Sequence, residues 1–140
     1  MDDPASGCCA SGDACVFAKA LLARSAACEL ARRRALGERE VLECGSPVAR
    51  INCATLAALL HERARFALRL PAPGRPLMHV HALKLQCGGL AGLRAIMQSD
   101  GGDVHALVRA AQEAHGSLAA LPWQEIVPAV VAWQPRRRRP

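Results

Sequence analysis

Seven cysteines, at positions 8, 9, 15, 28, 44, 53 and 87, are the residues of this 140-residue chain best suited to chemistry. A disulfide framework fits them poorly. The count is odd, no export signal precedes them, and a chain of this length can build a core without covalent staples. No C-x-x-C pair occurs, which excludes the common zinc ribbons and fingers, thioredoxin-like redox sites and ferredoxin-type runs. What remains is a dispersed set of thiols. With Cys8 and Cys9 in a polar leader and Cys15 at a helix start set aside, four are left: Cys28, Cys44, Cys53 and Cys87. Four thiolates complete a [4Fe–4S] or [2Fe–2S] cluster, or a tetrahedral zinc site.

The local settings of these cysteines point to a cluster. Gly45 follows Cys44, and Gly88 and Gly89 follow Cys87. Glycine lets backbone N–H groups approach a bulky anion and donate to its sulfurs. Cys53 is expected at the start of a strong helix and Cys87 just before another, where the helix dipole favours the thiolate. Cys28 falls on the inner face of its helix, so inert packing competes with ligation there. Cys15, also at a helix start, is the alternative fourth ligand. His79 and His81 are close enough to Cys87 to complete a mixed site or to bond a cluster sulfur, whereas His61, His105 and His115 read as structural.

No nucleophile elbow, P-loop, H-E-x-x-H or dinucleotide-binding glycine run is present. Gly88, Gly89 and Gly92 precede a helix but lack the Lys-Ser/Thr of a phosphate loop. Nothing in the motifs marks an enzyme.

The elements that must position these residues are mostly helical. Alanine occupies 28 positions and leucine 18, which favours helix over sheet. Residues 1–12 read as a flexible leader, residues 13–134 as one helical domain and residues 135–140 as a basic tail. Apolar spacing predicts a helix over 13–36 capped by Asp13 and stopped by Gly37, and an extended stretch over 38–43. A turn at Cys44-Gly45-Ser46-Pro47 follows. A helix over 53–70 carries Leu56, Leu59, Leu60, Phe66, Ala67 and Leu70 on its inner face, and a Pro/Gly connector fills 71–76. Residues 77–86 are ambiguous between strand and helix. Cys87-Gly88-Gly89 reads as a tight turn before a helix over 90–97. Asp103 caps a helix ending near His115 with Gly116 as its stop, and a last apolar segment, interrupted by Pro128, spans 123–133.

The net charge is +6, with Asp2, Asp3 and Asp13 within the first 14 residues and Arg136, Arg137, Arg138 and Arg139 in the tail. Tyr is absent and aromatics make up 3%, so base stacking along a single strand is not expected. The acidic start lacks a signal peptide's character and no uncharged run is long enough to span a membrane, so a cytoplasmic protein is expected. The expectation is therefore a mainly α, small single-domain protein with short extended segments and Gly-rich turns around a Cys-ligated site. Its metal ligands are Cys28, Cys44, Cys53 and Cys87, with Gly45, Gly88 and Gly89 against an iron–sulfur cluster, [4Fe–4S] preferred. The expected role is electron transfer, or an accessory to a redox complex, docking an acidic partner. The alternative is a structural zinc adaptor, or a nucleic-acid-binding module using Arg32, Arg33, Arg34 and the tail. A metal-free interaction domain is the third reading.

Overall fold

A computed structural model describes residues 14–99 and 102–135. The leader with Cys8 and Cys9, the Asp13 cap and the tail arginines lie outside the described residues. The described chain is mainly helical and forms a single small domain.

The first helix departs from expectation. Helix α1 is only Ala18–Leu22, and it ends in a turn in which the Arg24 N–H donates to the Leu21 carbonyl (3.0 Å) and the Ser25 N–H to the Ala20 carbonyl (2.9 Å). In place of a continuing helix, β1 (Ala31–Leu36) pairs antiparallel with β2 (Arg39–Cys44), in register from Ala31↔Cys44 to Leu36↔Arg39. The physical reason lies at Gly37. A two-residue hairpin loop of type II′ needs a left-handed first residue, and Gly37 supplies φ +65°. Arginines 32, 33 and 34 have no apolar stripe to place inside a helix. As strand residues they reach diagonal partners, Arg33 to Glu40 at 2.6 Å and Arg34 to Glu43 at 3.6 Å.

Helix α2 spans Pro47–Leu68, starting six residues before the expected position. Ser46 accepts from the Ala49 N–H at 3.2 Å and Pro47 takes the first turn, a pairing of N-cap and N1 proline that begins helices readily. Its buried face is Ala49, Leu56, Leu60 and Ala64, and Phe66 is 90% exposed. At 3.6 residues per turn Phe66 points about 200° away from Ala64, so both cannot face the core. Ala67 is exposed as well.

The stretch left open between strand and helix and the expected glycine turn are one continuous helical run: α3 (His79–Leu83), a π-helical turn (Lys84–Gly88) and α4 (Gly89–Ile96). Helix α5 (Val104–His115) has Asp103 as its cap and Gly116, at φ +83°, as its stop. Helix α6 (Trp123–Ala132) contains Pro128. Lys84 secures its end, donating to the carbonyls of Val131 (2.9 Å) and Trp133 (2.6 Å). Leu56, Leu60, Leu90, Leu93, Val108, Ile126 and Val130, all nearly inaccessible to solvent, form the core with Phe17 and Cys87. Among the described residues no helix is long and apolar enough to cross a membrane.

Candidate metal centre

Four cysteines from four separate segments line one small cavity of about 20 Å³: Cys15, Cys28, Cys44 and Cys53. The backbone around each is tied down. The Cys15 N–H donates to the Leu42 carbonyl of β2 (3.0 Å), and the Arg50 Nε–H of α2 donates to the neighbouring Ala14 carbonyl (2.8 Å). Cys28 follows Ala27, which forms a parallel bridge with Asp103, and the Glu29 N–H donates to the Asp103 carboxylate. Cys44 ends β2 opposite Ala31, and its thiol donates to the Ser46 carbonyl at 3.3 Å. Cys53 sits in the second turn of α2.

Burial favours the protonated form of three of these thiols, Cys15, Cys28 and Cys53. Burial pushes Cys53 from its ordinary 9.0 up to about 12, helped by the neighbouring Cys28, Cys15 and Cys44 and by Asp103. Burial also raises Cys15, against which the Phe17 backbone N–H and the Arg50 guanidinium pull down. Cys28 is raised chiefly by burial, opposed by the backbone N–H groups of Leu30 and His105 and reinforced by Asp103 and Cys44. Cys44 lies close enough to contribute to the rise of all three, and Cys53 also feels Cys15 and Cys28. A bound cation would reverse this balance, because a ligating thiol is deprotonated outright. Among the described residues, however, no three His, Cys, Asp or Glu side chains stand close enough around one point to hold a single ion.

Three of the four expected ligands, Cys28, Cys44 and Cys53, are brought together, and Cys15 joins them. Cys87 does not line the cavity. It lies in the π-helical turn, 1% exposed among core side chains, and behaves as a small apolar residue. Cys53 is not at a helix start either, since α2 begins at Pro47, and burial raises its pKa. The glycines expected against a cofactor have other tasks. A Cβ on Gly88 would meet Val130 Cα at 2.8 Å and one on Gly89 would meet Leu60 Cδ1 at 2.6 Å, so both permit helix packing. Gly45 donates its N–H to the Leu30 carbonyl (2.8 Å), with the Arg32 side chain lying across it.

His79 opens α3, its Nδ1 3.2 Å from Lys19 Nζ, and neither it nor His81 lines the cavity. Two residues that spacing did not single out, Arg50 and His105, do line it. The signal available for them was the hairpin turn at Gly37, which folds the Cys28 and Cys44 segments together, and the Asp103 cap, which sets His105 in the first turn of α5. In comparisons with known proteins, no family model matches this chain, and no curated protein or solved structure is detectably similar to it.

Proposed function

We propose that Cys15, Cys28, Cys44 and Cys53 ligate one iron–sulfur cluster, with [4Fe–4S] the preferred form, and that the protein carries electrons or serves beside a larger redox complex. The observation supporting this reading is the convergence of four cysteines, from four different segments, on one cavity. In a cluster each iron takes its own thiolate, so the sulfurs surround the object instead of meeting at one point. The thiols here line shared walls without gathering around a single centre. Backbone N–H groups of Phe17, Leu30 and His105 are directed at Cys15 and Cys28, and such donors stabilise thiolates and tune cluster potential. Loading requires the Cys15 and Cys28 segments to move outward. Both are short connections beside α1 and β1, outside the long helices. The acidic redox partner and the cytoplasmic location belong to the same proposal, because exposed arginines favour the first and free thiols persist in a reducing compartment.

A structural zinc site is the second reading, favoured by one feature. A cavity of about 20 Å³ has room for little more than one water-sized occupant. The deciding experiment is metal and acid-labile sulfide analysis of protein purified without oxygen. Iron and sulfide together, with broad absorption near about 400 nm from thiolate-bound cluster, are expected for the first reading. Stoichiometric zinc without sulfide replaces it with the second, and neither metal rejects both.

A further inference from the structure

The turn that ends α1 brings two arginines to one place. It leaves Arg24 left-handed at φ +61°, and Arg94 of α4 reaches the same turn, where its Nη2 donates to the Ser25 carbonyl at 3.3 Å. Both side chains line two neighbouring open grooves of about 570 and 680 Å³. Among the described residues no Asp or Glu lines either groove. The ion pairs among the described residues engage Arg33, Arg34 and Arg109, leaving Arg24 and Arg94 without a carboxylate partner there. The larger groove is closed by Leu83 and the half-buried Trp133. Two unneutralised guanidiniums facing the same space favour an anion, and their planar forks suit phosphate oxygens. An indole and a leucine beside them offer an apolar wall to a flat ring. The groove volumes fall within the usual range for small-molecule sites.

We propose that this groove binds a small organic phosphate carrying a planar ring, of which a nucleotide is the simplest case. Arg24 and Arg94 take the phosphate and Trp133 packs against the ring. None of the four clustered cysteines lines these grooves, so the site stands or falls independently of the metal centre.

The test is calorimetric titration of the full chain with ADP and, separately, inorganic phosphate. Saturable ADP binding at least about tenfold tighter than phosphate is expected, and Arg94→Gln should weaken it about tenfold or more, the scale of a lost charge-assisted hydrogen bond. Arg24→Gly is the sharper variant. Glycine suits a left-handed helix end, so thermal stability should hold or rise while ADP affinity falls about tenfold. Arg69→Gly, at the left-handed end of α2 and outside both grooves, should leave ADP affinity unchanged. No saturable ADP binding, phosphate bound as tightly as ADP, or wild-type ADP affinity in Arg24→Gly would each overturn the proposal.

Discussion

Ala27 and Asp103 pair in a parallel bridge in which the Val104 N–H donates to the Ala27 carbonyl at 2.9 Å, and this pairing delivers Cys28 to the first turn of α5. The arrangement carries opposing effects. The His105 N–H at that helix start favours a Cys28 thiolate, while the Asp103 carboxylate disfavours it and also pushes Cys53 up. Asp103 accepts from the Ala106 N–H (3.1 Å) and from the Glu29 N–H, so one side chain caps α5 and fixes the Cys28 loop.

Substitution at Asp103 separates these roles. Asp103→Ala removes the cap and should lower unfolding stability by about 1–2 kcal/mol. Asp103→Asn removes the charge and keeps one acceptor oxygen, which can serve the Ala106 N–H but not the Glu29 N–H as well, so stability should fall less than in Asp103→Ala. Metal affinity should increase in Asp103→Asn, since the neighbouring thiols lose protons more easily. Urea unfolding and chelator competition measure the two effects. Weaker metal binding by the Asn variant would show that the carboxylate helps the site instead of opposing it.

Cys15 and Cys87 should respond in opposite ways to truncation. Cys15→Ala removes a cavity-lining sulfur and is expected to abolish stable metal incorporation, along with the stability that binding contributes. Cys87→Ala leaves a small void in a packed core and should cost about 1 kcal/mol while metal content per chain stays at the wild-type level. Metal analysis and urea unfolding on the pair decide the matter. Full metal occupancy in Cys15→Ala, or its loss in Cys87→Ala at intact fold, would reverse the assignment.

The contrast between these two cysteines shows where sequence reading succeeds. Helix α5 was legible because its cap, apolar spacing and stop glycine all agree from Asp103 to Gly116. The convergence of Cys28 with Cys44 was hidden by β1, an almost wholly exposed strand whose residues carry no alternating apolar signal. Only the Gly37 turn announces it. Ser46 and Pro47 together are a helix start, and reading them only as a turn puts Cys53 at the first residue of α2 instead of in its second turn. Cys87 misleads for another reason. Its two glycines imitate a loop, yet they are needed for close helix approach, which only the tertiary packing reveals.

Those glycines provide their own test. Gly88→Ala places a methyl 2.8 Å from the Val130 backbone, which cannot move without shifting α6. Gly89→Ala instead meets the flexible end of Leu60. Both should destabilise by overpacking, about 1–3 kcal/mol, with Gly88→Ala the worse. Metal content should be unchanged in both, whereas cofactor-cradling glycines would lose metal before stability. Thermal melts with metal analysis of the same preparations make the comparison.

The thiols also predict opposite pH responses for the metal-free and metal-bound protein. In the metal-free form the Cys53 thiol titrates near 12 when folded, against an ordinary 9.0 when unfolded. Between those values the native state binds more protons than the unfolded state, so its stability contribution, complete below pH 9.0, is lost as pH rises toward 12. The raised values of Cys15 and Cys28 act in the same direction. Metal binding reverses the sign, because each ligating thiol surrenders its proton to the solvent. Affinity should therefore rise as pH rises from 6 toward 8, by about tenfold per pH unit for each proton released. Chemical denaturation of the metal-free protein across alkaline pH measures the first slope, and chelator competition across neutral pH measures the second. In Cys53→Ala the alkaline loss should be shallower. A metal affinity independent of pH would mean that the cavity thiols are not the ligands.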